Sequence, residues 1–275
     1  MQIIQVQFPQ PDLCQVQVRE DAAAYEAVIE QMYEKFGQFY PVKGHEGLAS
    51  RQLIEQRYGA QVFRLEAINH LLTHEFNGLQ AQLCAQQGLV PLTEAEPQLL
   101  SDDETGFVVE CTFATVPQVQ VTGYTGNTLP GPAQAGVKVL LQQVAQQCGV
   151  SVSSYAMQVE SANRQDALAQ KLRETQTELK AFLEQAGKTE EELLQDIAAS
   201  VWQDFAQRTV LQNIARQENL LTTEQQLEEE IDRMVAISEQ NAYARTNPAA
   251  RRSIAQRLTN QRTLEWLCAH NQFAE

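Results

Sequence analysis

Lys43-Gly44-His45-Glu46-Gly47-Leu48-Ala49-Ser50, followed a short interval later by Gln56-Arg57-Tyr58-Gly59, decides how this chain of 275 residues is read. Gly44 and Gly47 stand three positions apart within it. Ser50 is a residue type that caps helices, so a short helix is expected from there through Arg57, with Gly59 closing it. The loop carries Lys43, His45 and Glu46 beside Gly44 and Gly47, and Arg57 lies at the end of the helix that follows.

Toward the N-terminus, Ile3 to Phe8 and Leu13 to Val18 alternate apolar and polar residues with period two, as half-buried strands do; Pro9 and Pro11 mark the turn between them. From Asp21 the period lengthens. Ala22, Tyr25, Val28, Ile29, Met32 and Phe36 fall on one helical face, which predicts a helix stopping at Gly37. Beyond Gly59 a longer helix carries Val62, Leu65, Ile68, Leu72, Phe76, Leu79 and Leu83 inward and ends before Gly88. After Pro91 and Pro97, Phe107 to Val116 reads as a strand bounded by Asp102-Asp103-Glu104-Thr105-Gly106 and by Pro117. The order of two strands, three helices and further strand makes this an α+β domain, placed at 1–128.

Thr122 to Gly136 is rich in glycine and proline and predicts a linker or tight boundary. Everything after it reads as helix, giving an all-α domain at 129–275. Val137, Leu140, Leu141 and Val144 form one stripe ending near Gly149. A long helix or helix pair then spans about Ser153 to Gln185 and stops at Gly187. Thr189-Glu190-Glu191-Glu192 is a capping box opening a helix with Leu193, Ile197, Val201, Phe205, Val210, Leu211 and Ile214 inside. Thr223-x-x-Gln226 repeats the device, and Asn247-Pro248 supplies a cap with proline at the first helical position.

With 43% hydrophobic residues the chain can bury a core and has length for two domains. No apolar run approaches a membrane span, and the start at Met1 has no signal-peptide pattern, so a cytoplasmic protein without membrane contact is expected. The five cysteines, Cys14, Cys84, Cys111, Cys148 and Cys268, are far apart, which favours small buried hydrophobes over a zinc knuckle or a disulfide framework. The formal net charge is −15, unevenly spread: residues 1–128 hold 6 basic and 16 acidic residues, a net of −10, and residues 129–275 hold 14 and 19, a net of −5.

The glycine loop and Gln56-Arg57-Tyr58-Gly59 together resemble the N-terminal ribosome-docking domain of the bacterial chaperone trigger factor. In that family a glycine-phenylalanine-arginine-x-glycine-x-x-proline loop precedes the arginine-tyrosine-glycine. With one loop residue missing here, Gly44 and Gly47 take the glycine positions, His45 that of phenylalanine, Glu46 that of arginine and Ser50 that of proline. Phe107-Val108-Val109-Glu110-Cys111-Thr112-Phe113-Ala114-Thr115-Val116-Pro117-Gln118-Val119 is similar to the family's strand ending in proline, acid and valine. Leu179-Lys180-Ala181-Phe182-Leu183-Glu184-Gln185-Ala186-Gly187-Lys188-Thr189-Glu190-Glu191-Glu192-Leu193 is similar to its C-terminal domain, of the SurA-like helical type. The segments Thr223–Met234 and from Pro248 follow that domain's order.

The resemblance implies a chaperone that holds non-native or unassembled polypeptide without ATP, and needs no cofactor. Full-length trigger factors carry a prolyl isomerase domain of the FK506-binding type, and the helical reading after Gly136 leaves no room for one. Docking on ribosomal RNA requires phosphate neutralisation, and an acidic domain with Glu46 at the arginine position opposes it. The expectation is therefore a partner-docking loop at Lys43, Gly44, His45, Glu46, Gly47 and Arg57, with no ribosome, nucleic acid or membrane partner and room for a homodimer through the first domain. Two alternatives stay open. One is a ribosome-associated nascent-chain chaperone using Lys43, Arg51 and Arg57; the other is an adaptor for one folded partner.

Client contact is expected at Met157, Met234 and Tyr243, large residues near helix ends or among polar neighbours, with methionine suited to variable partners. His70 and His74, with Glu66 a turn earlier, have a spacing that allows metal sharing, but no third ligand is identifiable and a solvated helix face is the expected reading. No phosphate loop, nucleophile elbow or activated thiolate is present, so neither a catalytic residue nor a metal site is assigned.

Overall fold

The computed structural model describes residues 1–45 and 47–274, apart from the side chain of Gln134. The chain forms two compact units, one of Met1–Gln7, Cys14–Gly88 and Ala95–Thr112, the other of Phe8–Leu13, Leu89–Glu94 and Phe113–Glu275.

The first unit is α+β. It is built on β1 (Gln2–Gln10), β2 (Leu13–Asp21), α1 (Ala22–Phe36), α2 (Arg51–Tyr58), α3 (Val62–Leu71), α4 (Asn77–Gln87), β3 (Glu96–Asp103) and β4 (Gly106–Ala114), with sheet order β1-β2-β4-β3. Alternation along β2 buries Cys14, Val16, Val18 and Glu20, and along β4 Phe107, Val109 and Cys111. Tyr25, Ile29 and Met32 of α1 join them; the Tyr25 and Phe107 rings meet edge to face at 4.9 Å. Glu20 is neutralised by the Met1 ammonium at 2.5 Å. Asp21 caps α1 by accepting from the Ala24 amide.

Three local expectations change. The chain leaves α1 in a 3₁₀ turn, Gly37–Phe39, and Gly37 has φ −54°, so it is no left-handed stop. Its smallness serves packing instead, because a Cβ there would lie 2.8 Å from the Leu48 Cδ1. The long helix after Gly59 is interrupted by a π-helical turn, Leu72–Phe76, joining α3 to α4. Phe63, Ala67, Ile68 and Leu71 are buried before the turn and Phe76, Gln80, Leu83 and Cys84 after it, so Ile68, Phe76 and Leu83 lie inward as expected while Leu65 stays 49% exposed. The segment before Gly106 is a strand, β3, whose alternation is broken by Pro97 and by a bulge between Leu99 and Ser101.

The second unit is helical: α5 (Ala133–Gln147), α6 (Ser154–Glu174), α7 (Leu179–Ala186), α8 (Glu190–Gln217), α9 (Glu224–Ile237) and α10 (Pro248–Ala269). Two short parallel strands, β5 (Thr128–Pro130) and β6 (Gln272–Ala274), accompany them. Both capping boxes form, at Thr189 with Glu192 and at Thr223 with Gln226, and Asn247 caps α10 through the Ala250 amide. The glycine- and proline-rich stretch expected as a linker is core: Val121, Tyr124 and Leu129 are buried with Val137, Leu140, Leu141 and Val144 of α5, Val210 and Ile214 of α8, and Leu267 of α10. Ahead of it, residues 117–121 run along α8 and bond to its amide side chains. Asn213 donates to the Pro117 carbonyl and accepts from the Val119 amide, and Gln217 does both with Val121. The chain thus finds on a helix the bonds a neighbouring strand would have given it.

Candidate functional site

Gly44 and Gly47 have φ of +88° and +87°, and Lys43, His45 and Arg57 are exposed, while Glu46 lies outside the described residues. Ser50 occupies the N-cap position of α2 but its hydroxyl makes no cap bond, and Gly59 closes the helix with φ +104°. Tyr58 fastens the helix end back to the loop by donating to the Pro41 carbonyl at 2.6 Å, with its ring against Tyr40. Arg57 stacks on Tyr58 with 5.6 Å between guanidinium and ring centre. Around this lie Phe39, 68% exposed, and Leu48.

Arg51, the first residue of α2, is not available to an anion. Its guanidinium meets Glu26 at 2.5 Å, Glu55 at 2.7 Å and Glu30 at 3.2 Å. Burial alone would lower its pKa, but hydrogen bonds to the three carboxylates hold it well above the usual arginine value. Three acids around one base leave that corner of the surface net negative.

His70 and His74 meet edge to face at 4.2 Å, and burial, the neighbouring imidazole and Lys35 lower the His70 pKa. Among the described residues no group of three or more His, Cys, Asp or Glu could hold a metal ion. Burial pushes the Cys14 thiol up to about 11 and that of Cys111 to about 12, which silences both as nucleophiles.

The helical unit offers a different surface. Among the described residues none from 157 to 200 is fully buried, and α7 has no buried residue at all. This arm, made of most of α6, all of α7 and the first turns of α8, carries its apolar side chains half-covered. Leu168, Ala169 and Leu172 of α6, Leu179 of α7 and Leu193, Leu194 and Ile197 of α8 line a groove of about 300 Å³, with Arg173 and Glu190 among its polar rim. Its acidic end is fixed by the Thr189 capping box, where the Thr189 amide and hydroxyl hold the Glu192 carboxyl below the usual range. Leu193 and Ile197 are legible as an inward stripe from sequence. The α6 contribution has its own helical spacing, in Gln165, Leu168, Ala169 and Leu172.

The three expected client residues lie elsewhere. Met157 is half-buried against the cluster of Leu92, Ala114, Val116, Ala156, Val201 and Phe205. Met234 is half-buried against Leu227, Ile231, Ala244 and Ile254. Tyr243 is 60% exposed, close in sequence to Ile237, which is 80% exposed.

Comparison with known proteins gives two family matches. Residues 1–148 match the model for bacterial trigger factor protein, and residues 134–269 match that for the C-terminus of bacterial trigger factor protein. The two spans overlap, leaving no stretch between them for a further domain. A solved structure from work on "Promiscuous Substrate Recognition in Folding and Assembly Activities of the Trigger Factor Chaperone" is 7% identical, with 97% of this chain and 99% of that chain covered and a TM-score of 0.49. No curated protein matches the chain.

Proposed function

The chain belongs to the trigger factor family, in a form lacking the prolyl isomerase domain, and from that premise we propose an ATP-independent holding chaperone of the cytoplasm that works without isomerase activity and without ribosome docking. The observation that carries the reading is the arm at 157–200, whose apolar residues line an open groove instead of a closed core. An unfolded client presents apolar side chains and little fixed shape, so a half-covered leucine surface of modest volume binds many sequences weakly.

The glycine loop serves a protein partner on this reading. Arg51 is neutralised by three carboxylates, and Phe39, Leu48 and Tyr58 are exposed near the loop in sequence, in a domain of strong negative charge. The ribosome-bound alternative rests on the exposed cations Lys43 and Arg57.

The purified protein should suppress light scattering by several unrelated denatured enzymes, unaffected by ATP, and should leave proline-limited refolding no faster than an inert protein does. Leu172→Glu with Leu194→Glu should abolish most of that suppression while circular dichroism stays unchanged. Scattering unaltered across all clients would refute holding and favour the adaptor. Salt-sensitive co-sedimentation with ribosomes by the unmodified chain would restore the nascent-chain reading; its absence, with partial gain by Glu46→Arg and His45→Phe together, supports the loss of docking.

A further inference from the structure

Beyond α10 the chain is clamped as far as Asn271 and changes character one residue later. Asn271 is buried; its Nδ2 donates to the Leu267 carbonyl at 2.8 Å and the Tyr124 carbonyl at 3.0 Å, and its Oδ1 accepts from the Asn127 amide at 3.0 Å. On the same side the Gly126 amide donates to the His270 carbonyl at 2.9 Å. β6 follows, and main-chain pairing to β5 holds it. The Gln272 amide donates to the Asn127 carbonyl at 2.8 Å, and the Gly131 amide to the Ala274 carbonyl at 2.9 Å. Gln272 and Ala274 are exposed, and Phe273 is half-buried. Two strands of three residues are weak sheet structure, since a lone pair is marginal in water and parallel pairing is less stable per residue than antiparallel.

The slot under Phe273 is more specific than the strand. Gly136 is buried in the first turns of α5, where glycine is less favourable than alanine. A Cβ there would lie 2.9 Å from the Phe273 Cδ1 and 3.0 Å from its Cε1, so the missing side chain makes the room for the ring. Leu129 of β5, the register partner of Phe273, is buried, with its Cβ 3.1 Å from the same point. Such a pair of features is a peptide receptor in miniature: a strand edge binds the main chain of an extended segment whatever its sequence, and a pocket takes one side chain. A segment built to stay would bury more than one side chain. β6 half-buries one, behind a fixed anchor at Asn271.

We propose that β5 and the Gly136 slot form a binding site for an extended peptide segment with an aromatic residue at its centre, and that β6 is a displaceable strap competing for it. The holding reading supplies only the source of that ligand, an unfolded client; the site itself is tested with a peptide and needs no aggregating protein.

Apparent affinity falls with the fraction of molecules whose site is open, so a strap lifted in about one molecule in ten weakens peptide binding about tenfold. The probe is a capped, fluorescein-labelled peptide with one central phenylalanine among alanines and glutamines, followed by anisotropy. The full chain carries Leu172→Glu and Leu194→Glu throughout, so the arm groove contributes nothing. Adding Phe273→Ala should tighten binding about tenfold, and a peptide with alanine at its centre should bind neither protein. Adding Gly136→Ala as well should remove the binding. That change puts a methyl group where the ring would lie while favouring the helix, and circular dichroism checks the fold. Native-state hydrogen exchange reads the strap directly. The Gly131 amide, bonded to Ala274, should be protected at least about tenfold less than the Gly126 amide, bonded to His270 behind the anchor. Affinity no tighter with Phe273→Ala, binding that survives Gly136→Ala, or equal protection of the two glycines would each overturn the proposal. So would a Phe273→Ala protein that unfolds, because β6 would then be a permanent part of the helical core.

Discussion

Replacing Asn213 by leucine should cost the helical unit about 2–4 kcal/mol, because one side chain holds two backbone groups of the segment 117–121. Asn213 is 3% exposed; its Nδ2 donates to the Pro117 carbonyl at 2.9 Å and to the Thr209 carbonyl at 2.8 Å, and its Oδ1 accepts from the Val119 amide at 3.1 Å. Leucine fills the space and satisfies none of them. The buried Pro117 carbonyl then loses its partner at about 1–3 kcal/mol, and the half-covered Val119 amide, which water can partly reach, adds about 1 kcal/mol. Gln217 keeps Val121 in place, so the segment loosens without detaching. Asn213→Asp sharpens the test. It keeps the acceptor for Val119 but turns a carboxylate oxygen toward two carbonyls, which raises its folded pKa above the unfolded value. The variant is therefore least impaired below the ordinary aspartate pKa of about 3.9 and loses stability as pH rises through that value and above. Urea unfolding followed by Trp202 and Trp266, both packed on this core, reads the effect directly. A loss under about 0.5 kcal/mol for leucine, matching a control at exposed Gln118, would show that the amide clamp does not fasten the chain.

Gly106→Ala should destabilise the sheet by roughly 2–5 kcal/mol, since φ there is +119° and a Cβ would fall 1.9 Å from the Glu20 carbonyl oxygen; near-parental thermal unfolding would contradict that geometry. The Glu192 carboxyl has a depressed pKa, so its share of the α8 cap is complete above the ordinary carboxylate range and disappears as pH falls through the folded value. Carbon-detected NMR titration should find that pKa returning toward normal in Thr189→Ala, and an unmoved titration would disprove the capping-box coupling.

Elements whose signals are local were legible in sequence. The caps at Thr189, Thr223 and Asn247 each make the bond their residue type foretells, and the stripe of Val137, Leu140, Leu141 and Val144 is buried as its spacing requires. What failed depended on partners far away in the chain. The π-helical turn at Leu72–Phe76 leaves no composition cue, and Leu65, expected inside, stays exposed while Phe63 and Ala67 are buried. β3 escaped because its bulge and Pro97 erase the alternation that identifies strands. The stretch around Tyr124 and Leu129 resembled a linker because glycine and proline report turns and say nothing of whether those turns are buried. The groove was half visible: Leu193 and Ile197 belonged to a recognised stripe, whereas Leu168 and Leu172 acquire meaning only once α6 is laid beside α8.

The half-covered arm suits the holding function proposed above. A helix pair that closed its own core would have no apolar surface to offer, and one fully open would aggregate. Residues 157–200 lie between these limits, with Leu172, Leu179 and Leu194 partly shielded by their neighbours and partly facing a groove. Covering one leucine-sized side chain contributes about 1.5–3 kcal/mol, too little for lasting capture once ordering of the client is subtracted. Capture by the proposed mechanism would then need a second contact, for which Ile237 and Tyr243, exposed at the end of α9 and in the 3₁₀ turn after it, offer apolar surface on a separate part of the same unit. A client segment engaging both sites gains through effective concentration what neither gives alone, and a short or already folded chain that reaches only one is released. On the proposed holding function, selectivity for extended, unassembled polypeptide would arise from the separation of two weak sites, without a nucleotide cycle to drive release.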